Sequence, residues 1–294
     1  MTLTAPILVT GATGQVGGAL VRLAKAQGVE VYAPGRENLD LANADSVASA
    51  FKSSRWSAVI NCAAYTAVDK AETDLELAYL INAKAPGLLA EAAATHDIPI
   101  VQVSTDYVFD GTNPKPYLET DVVNPLGVYG RTKEAGEAAV RSANKKHAIV
   151  RTAWVVSAEG HNFLNTMLNL GTTKSELNVV DDQLGCPSSA VDIAQALLQI
   201  AKSVPDCGGT WHFVNSGEAT WFDLANHIFC KTADYGLPTP AVRPIPTSMY
   251  PTPAQRPANS RLCTNAVQRD FNIQPRPWRI AVDEILLQRL GDKG

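Results

Sequence analysis

Tyr129 and Lys133 are the residues whose types and spacing first suggest chemistry. On a helix, residues four apart share one face, so an ammonium would lie beside a phenol. A free phenol has a pKa near ~10 and transfers protons poorly at neutral pH. A cation about 5 Å away favours the phenolate by about 3 kcal/mol at an effective dielectric of about 20, so we expect a lowered pKa for Tyr129. The pair is a candidate general acid–base, although this spacing also arises by chance.

A glycine-rich loop near the N-terminus supplies a place for a cofactor. Residues 7–9 are a short apolar run, and a helical pattern follows the loop. Glycines let the backbone approach a pyrophosphate, and a helix N-terminus offers amide donors. The sequence therefore predicts a dinucleotide-binding loop, with a ligand-free strand-to-helix turn as the alternative. Its residues are Gly11, Gly14, Gln15, Val16 and Gly17.

The residues after the second predicted strand (29–33) bear on the choice of cofactor. A free ribose 2′-hydroxyl calls for an acidic residue there, whereas Arg36 suits a 2′-phosphate. NADPH is therefore favoured, NADH stays possible, and a solvated loop arginine is the alternative. Asp40 and Leu41 follow, where the adenine end could lie.

Two later strands are predicted to end in residues that suit a ligand. Residues 58–61 lead into Ala63, Ala64 and Tyr65, where small side chains would let a cofactor lie across the strand end. Residues 98–103 lead into Ser104 and Thr105, whose hydroxyls would face the same edge or serve only in a turn. The chain thus predicts a hydroxyl group close to Tyr129.

Strands and helices alternate up to Trp154, which is typical of an α/β fold. We predict a doubly wound parallel sheet (Rossmann-like) with a smaller C-terminal α/β substrate-binding domain. The predicted dinucleotide-binding domain is 1–155 plus about 188–215, and the predicted substrate-binding domain is about 156–187 and 216–294.

Three local interpretations complete the sequence prediction. A helix is predicted over residues 44–55, and Glu137 and Arg141 are interpreted as a solvated ion pair on the helix after Tyr129. Residues 238–257 contain seven prolines, so we expect an ordered segment without regular structure. Arg256 near its end could bind a phosphorylated ligand or lie on the surface.

Composition narrows the class of protein. A net charge of −4 and the lack of a basic run argue against a nucleic-acid partner. No apolar stretch approaches ~18 residues, so no membrane span is expected. Residues 1–6 lack a targeting pattern, and five scattered cysteines indicate reduced thiols, so a cytoplasmic location is expected. The five histidines show no metal-ligand spacing.

Together these motifs resemble the extended short-chain dehydrogenase/reductase superfamily. Within it, further blocks are similar to the dTDP-4-dehydrorhamnose reductases and extend over nearly the whole chain. They lie at residues 14–17, 61–72, 104–111, 125–133, 151–154, 182–187 and 256–262.

The resemblance implies reduction of the 4-keto group of a dTDP-linked 6-deoxyhexose by NADPH or NADH. Tyr129 would protonate the carbonyl oxygen, Lys133 would lower the pKa of Tyr129 and hold the nicotinamide ribose, and Thr105 would hydrogen-bond the same oxygen. Asp106 and Trp154 would contact the sugar nucleotide.

Some positions depart from the family pattern. Cys62 and Ala153 replace other small residues. Some relatives are dimers with a divalent metal at acidic ligands, but Ala19 and Val191 stand where such carboxylates would be sought. We therefore expect no Mg²⁺ site and a monomer or weak homodimer.

Two alternatives stay open on the sequence. The chain could reduce another nucleotide-linked deoxysugar with the same chemistry. It could also be a non-catalytic regulatory subunit, as one relative of methionine adenosyltransferase is, because such a protein can keep the whole motif set.

Overall fold

A six-stranded parallel sheet forms the centre of the chain in this computed structural model, which describes residues 5–291. The N-terminal segment without a predicted targeting pattern lies largely outside that range. The described strands are β1 (Ile7–Thr10), β2 (Val31–Tyr32), β3 (Ala58–Asn61), β4 (Ile100–Thr105), β5 (His147–Thr152), β6 (Val155–Val156), β7 (Glu176–Val180), β8 (Leu184–Gly185), β9 (Ser188–Ser189), β10 (Gly209–His212), β11 (Ala219–Thr220) and β12 (Ala241–Ile245).

Helices cover both faces of the sheet and build the C-terminal part. They are α1 (Gln15–Ala26), α2 (Ala44–Ser53), α3 (Val68–Ala71), α4 (Leu75–Tyr79), α5 (Ala85–Thr95), α6 (Val128–Ala143), α7 (Phe163–Gly171), α8 (Ala190–Ala201), α9 (Trp221–Ala233), α10 (Asn265–Phe271) and α11 (Trp278–Leu290). A π-helical turn (Leu80–Lys84) joins α4 to α5, and 3₁₀ turns span Asp106–Val108 and Thr247–Met249.

The order of the strands fixes where a ligand can bind. The order is β10-β5-β4-β3-β1-β2, and every pairing in this sheet is parallel. The chain first moves outward from β1 to β2 and then returns to the other side of β1 with β3. This reversal creates a crevice outside the carboxyl ends of β1 and β3, which is where open α/β sheets bind ligands. The predicted α/β class and doubly wound sheet are confirmed.

Apolar side chains explain the two layers of helices. The strands β1 and β3 are fully buried along their length, as expected for strands covered on both faces. On one face α1 and α8 pack through residues such as Leu20 and Leu197. On the other face α2 and α5 contribute Phe51 and Leu89, and α6 contributes Val140.

A separate apolar core lies in the C-terminal part. It includes Leu164 on α7, Leu224 on α9 and Val282 on α11. Helix α9 begins with a capping box, in which Thr220 and Asp223 satisfy each other's backbone amides. By contrast, Phe271 at the end of α10 belongs to the core beside the central sheet and packs edge-on against Trp211.

Some local predictions differ from the structure. The second strand is only two residues long, and α2 ends at Ser53 rather than at residue 55. The proline-rich segment contains β12, although no regular structure was expected there. Pro244 is tolerated because β12 pairs only with β7 in a two-stranded sheet. Both strands are edge strands, so a residue without a backbone N–H breaks no ladder inside a larger sheet. Within residues 5–291, no helix is long and apolar enough to cross a membrane.

Candidate active site

The glycine loop between β1 and α1 has the geometry of a phosphate-binding turn. Gly11 has a φ of +72°, which a side chain would strain. A Cβ on Gly17 would lie 2.3 Å from the Gly11 carbonyl oxygen. Helix α1 begins after Gly14 without a side-chain cap or an acidic residue in its first turn, so its first amides are available to an anion. These residues fit the pyrophosphate of a dinucleotide.

The segment after β3 lies against this loop. A Cβ on Gly11 would lie 2.5 Å from the Ala63 amide nitrogen, so the two strand ends meet closely. Ala63, Ala64 and Tyr65 are all partly exposed. The structure thus brings the predicted loop and the predicted small-residue segment together at the β1/β3 crevice.

Asn82 fixes that segment, although no motif in the sequence assigns it a role. Its side-chain oxygen accepts a hydrogen bond from the Tyr65 amide (2.8 Å), and its nitrogen donates to the Tyr65 carbonyl (3.1 Å) and to Thr132 Oγ1 (3.1 Å). It lies in the π-helical turn, a distortion often found at functional sites. The available signal was a buried polar residue inside an apolar helical pattern.

Tyr129 lies one strand away, beside the end of β4. Its ring packs edge-on against Tyr107, with ring centroids 5.5 Å apart. Burial raises the pKa of Tyr129 to about 12, the Thr105 hydroxyl lowers it, and the charge of Asp106 raises it further. The phenol is therefore protonated at neutral pH, as a proton donor must be, and its high pKa means that a nearby positive charge is needed to stabilise the phenolate it leaves behind.

Lys133 lies one turn along α6 and is buried. Its Nζ donates a hydrogen bond to the Val103 carbonyl at 2.7 Å. Burial lowers the pKa of Lys133 to about 8, and the charge of Glu137 opposes that shift. The lowered pKa expected for Tyr129 is thus wrong for this structure, because desolvation of the phenol outweighs the favourable interactions around it.

Asp106 completes the group at the end of β4. Thr105 Oγ1 donates to Asp106 Oδ1 at 2.9 Å, and Oδ2 is a buried acceptor without a hydrogen-bond partner among the described residues. Burial raises the pKa of Asp106 to about 6, while Ser260 and Thr105 oppose the rise. A buried acceptor that lacks a donor is suited to a ligand hydroxyl.

Replacement of Asp106 should show that its ionised carboxylate lowers the stability of the folded chain. Its folded pKa of about 6 exceeds the ordinary 3.8, so ionisation is unfavourable in the folded chain. The loss of folding stability that results from ionising Asp106 is absent below about pH 4 and complete above about pH 6. We expect Asp106→Asn to raise the free energy of unfolding by about 1–3 kcal/mol at neutral pH and by much less near pH 4. Urea denaturation across that interval measures this, and a pH-independent difference would contradict it.

The interpretation of Glu137 and Arg141 as a solvated pair is wrong. The Glu137 side chain is fully buried, and it also binds Arg151 of β5. Arg151 Nε and Nη2 donate to the two carboxylate oxygens at 2.8 and 2.7 Å, while Arg141 donates to one of them at 2.6 Å. Sequence spacing along α6 could not reveal the partner on the sheet.

Trp154 follows β5 and has an unusual backbone. Its φ of +47° is rare for a bulky residue and marks local strain. The indole stacks on Trp221 with ring centroids 3.5 Å apart, and Gly185 lies directly against it. Trp154 therefore lies between the central sheet and the C-terminal part.

Arg256 is already paired. Its guanidinium donates to both carboxylate oxygens of Asp69 on α3, at 3.2 and 2.9 Å. Burial lowers the pKa of Arg256, but the hydrogen bond to Asp69 and the surrounding negative charges raise it by more. The pKa of Arg256 is therefore above its ordinary value. A phosphate could engage Arg256 by sharing or replacing Asp69.

The remaining predicted cofactor residues are spread along the sheet edge. The Arg36 side chain is 79% exposed, and its Nε lies 3.5 Å from Asp40 Oδ1. Leu41 and Val16 are partly buried against the apolar cores. Gln15 uses its side-chain oxygen to accept hydrogen bonds from Ser157 (2.7 Å) and Asn162 (2.8 Å), which ties the loop to the segment after β6.

A metal site has no support in the part of the chain that is described. No group of three or more histidine, cysteine or acidic side chains there could hold a metal ion. Ala19 is buried in the core, and Val191 lies on the surface.

Comparisons with known proteins agree on one family. The family model "RmlD substrate binding domain" matches residues 5–290. A dTDP-4-dehydrorhamnose reductase from Sinorhizobium fredii is 45% identical, covering 92% of this chain and 93% of the relative. The crystal structure of dTDP-4-dehydrorhamnose reductase from Bacillus anthracis in complex with NADP is 32% identical with a TM-score of 0.90, covering 97% of this chain and 99% of that one.

A further relative has a different name. A probable dTDP-4,6-dihydroxy-2-methyloxan-3-one 4-ketoreductase from Streptomyces antibioticus is 40% identical, covering 83% of this chain and 84% of the relative. Since the matches cover most of each protein and agree with the sheet and loop described above, the chain belongs to the dTDP-4-dehydrorhamnose reductase family.

Proposed function

We propose that this chain reduces the 4-keto group of dTDP-4-dehydro-L-rhamnose to give dTDP-L-rhamnose, with NADPH as the favoured cofactor and NADH as a possible one. The observation that carries the proposal is the grouping of Tyr129, Lys133 and Thr105 at the ligand edge of the sheet, in a chain of this family.

The roles of the residues follow from their chemistry. Tyr129 donates a proton to the sugar oxygen, and the Thr105 hydroxyl hydrogen-bonds the same oxygen. Lys133 places a positive charge near the phenol, and this charge stabilises the phenolate that forms when Tyr129 gives up its proton. Asp106 accepts from a sugar hydroxyl, which its unpartnered Oδ2 favours. Trp154 contacts the sugar nucleotide, and Arg256 binds its diphosphate.

The cofactor site uses the glycine loop and the neighbouring strand end. Gly11, Gly14, Gln15, Val16 and Gly17 would hold the pyrophosphate. Ala63, Ala64 and Tyr65 would lie beside the nicotinamide, with Tyr129 and Lys133 on its ribose, and Arg36, Asp40 and Leu41 would lie at the adenine end. When bound, NADPH supplies the hydride for C4 of the sugar.

A substrate panel tests the proposal. Purified chain is mixed with NADPH and either dTDP-4-dehydro-L-rhamnose or dTDP-4-dehydro-6-deoxy sugars of other configuration. We expect rapid oxidation of NADPH with the rhamnose precursor and slower oxidation with the others. Activity only with another configuration would support the second candidate, a 4-ketoreductase for a different deoxysugar, which the similarity to the Streptomyces antibioticus relative favours. Inactivity throughout would favour the non-catalytic alternative.

We also propose that the chain acts in the cytoplasm as a monomer or weak homodimer without Mg²⁺, and that it uses two domains. The separate C-terminal core supports a division into two domains, and α10 packs beside the central sheet although it lies within the proposed substrate-binding domain. Light scattering with and without EDTA tests the oligomeric state and the metal together, and a stable dimer that EDTA dissociates would contradict both.

Arg36→Asp should change the choice of cofactor. A guanidinium binds a 2′-phosphate by charge-assisted hydrogen bonds, whereas a carboxylate repels the phosphate and accepts from a free 2′-hydroxyl. We expect the Kd ratio of NADPH to NADH to rise about 10- to 100-fold. Arg55→Asp is the matched control, because Arg55 is exposed and lies before β3, at the opposite edge of the sheet. Equal ratios in the two variants would show that Arg36 makes no contact with the 2′-phosphate.

A further inference from the structure

Helix α6 carries a third ionisable residue in line with Tyr129 and Lys133. Glu137 is one turn beyond Lys133, and four-residue spacing places all three on one face of the helix. Lys133 is 3% exposed and Glu137 is 1% exposed. The chain thus buries a carboxylate one helical turn from the lysine that accompanies the proposed proton donor.

We propose that Glu137 is a positioning residue for the reaction: its buried carboxylate, which Arg151 clamps one helical turn from Lys133, keeps the Lys133 ammonium charged. The inference rests on the proposed function, in which Lys133 assists Tyr129. It adds a role for Glu137 and for its partner on the sheet.

The clamp has little freedom to move. Arg151 is 2% exposed and binds Glu137 through two nitrogens, in the bidentate arrangement that fixes a carboxylate most firmly. The guanidinium also lies over the Phe109 ring at 5.0 Å, and its Nη1 is 3.5 Å from His212 Nε2. Because Arg151 belongs to β5, the carboxylate is anchored to the sheet as well as to the helix.

Within residues 5–291, the Lys133 nitrogen has no comparable partner. The Val103 carbonyl accepts its hydrogen bond but provides only a dipole, and the same carbonyl also accepts from Gln102. A buried ammonium needs a countercharge to remain protonated. Glu137 is the nearby carboxylate whose charge opposes the effect of burial on Lys133.

The other groups around this pair do not replace Glu137. Burial raises the pKa of the Cys62 thiol to about 12, so it is neutral. Burial, followed by the charge of Arg151, lowers the pKa of His212 to about 3, so this imidazole is neutral too. Arg141 and Arg151 are cations, and the Glu119 carboxylate accepts a hydrogen bond from the His212 amide. Ser104 of β4 faces Glu137 with an uncharged hydroxyl.

The direct test is the titration of Lys133 itself. Lysine side chains are labelled with ¹³C at Cε, the Lys133 signal is assigned with Lys133→Arg, and its pKa is followed by NMR in the full chain. We expect Glu137→Gln to lower the pKa of Lys133 by about one unit. Glu134→Gln makes the same chemical change on the same helix, next to Lys133 but on a partly exposed residue, and should leave the pKa unchanged.

The pH dependence of turnover gives a second readout, because a purely structural role of Glu137 would not change it. We expect Glu137→Gln to lose about tenfold in turnover above neutral pH and to recover towards the wild-type rate as the pH falls, because acid restores the charge on Lys133. A deficit that is constant across pH, or an unchanged Lys133 titration, would overturn the inference. The titration needs no substrate, so it decides the role of Glu137 even if the chain fails to reduce the proposed sugar.

Glu137→Gln could fail to fold, because it leaves Arg151 buried without its countercharge. The double variant Glu137→Gln with Arg151→Gln avoids that cost, and its reference is Arg151→Gln alone, so that both proteins lack the Arg151 cation. The double variant must show a lower Lys133 pKa than Arg151→Gln, and equal Lys133 titrations in these two variants would overturn the inference as well.

Discussion

Tyr129→Phe should reduce turnover at least about 100-fold, which corresponds to about 2.7 kcal/mol of lost transition-state stabilisation. The change removes only the hydroxyl, whose pKa of about 12 keeps it protonated across the neutral range. The aromatic contact with Tyr107 remains. Steady-state turnover with saturating NADPH and fluorescence titration of the cofactor measure the two properties separately.

Cofactor affinity should remain within about threefold of the wild type in this variant, because only the Tyr129 contact with the ribose is lost while the glycine loop and Lys133 are untouched. Tyr79→Phe is the matched control: it makes the same change on α4, where the side chain is 56% exposed. Near-normal turnover of Tyr129→Phe would refute the assignment of Tyr129 as the proton donor.

Gly17→Ala should weaken binding of NADPH about 10- to 100-fold. Its Cβ would lie 2.3 Å from the Gly11 carbonyl oxygen and 2.7 Å from the Gly11 carbonyl carbon. Both atoms belong to the backbone, so the loop itself must shift, at about 1–3 kcal/mol. The displaced amides would then no longer converge on the pyrophosphate. Isothermal titration with NADPH measures the loss.

Gly18→Ala provides a graded comparison on the same helix. Its Cβ would lie 3.1 Å from the Ala12 carbonyl oxygen, a contact that a small adjustment relieves. We expect an effect at least about fivefold smaller than for Gly17→Ala. Equal affinities for wild type and Gly17→Ala, with thermal melting showing both folded, would place the pyrophosphate elsewhere.

The sequence predicts the central fold well because its signals are local. Buried apolar strands, the loop of Gly11, Gly14 and Gly17, and the periodic helices each depend on neighbouring residues, and together they indicate a doubly wound sheet. The sheet edge then brings Ala63 against the loop and places Thr105 at the end of β4, two strands away. Strand length was less predictable, since β2 has only two paired residues.

The features that the sequence does not predict depend on contacts between distant residues. Glu137 meets Arg151 across the helix–sheet packing, and Arg256 meets Asp69 from the far end of the chain. The raised pKa of Tyr129 reflects burial, which spacing along α6 does not reveal. Pro244 occurs in a strand because β12 belongs to a small two-stranded sheet, a context set by tertiary structure.

The most direct test of the central claim is the position of a transferred deuterium. The chain is incubated with dTDP-4-dehydro-L-rhamnose and NADPH deuterated at C4 of the nicotinamide, and the product is analysed by mass spectrometry and NMR. We expect dTDP-L-rhamnose with a single deuterium at C4 of the sugar, formed at least about 100-fold more slowly by Tyr129→Phe. Absence of the reduced sugar, or a deuterium at another carbon, would contradict the proposed reaction.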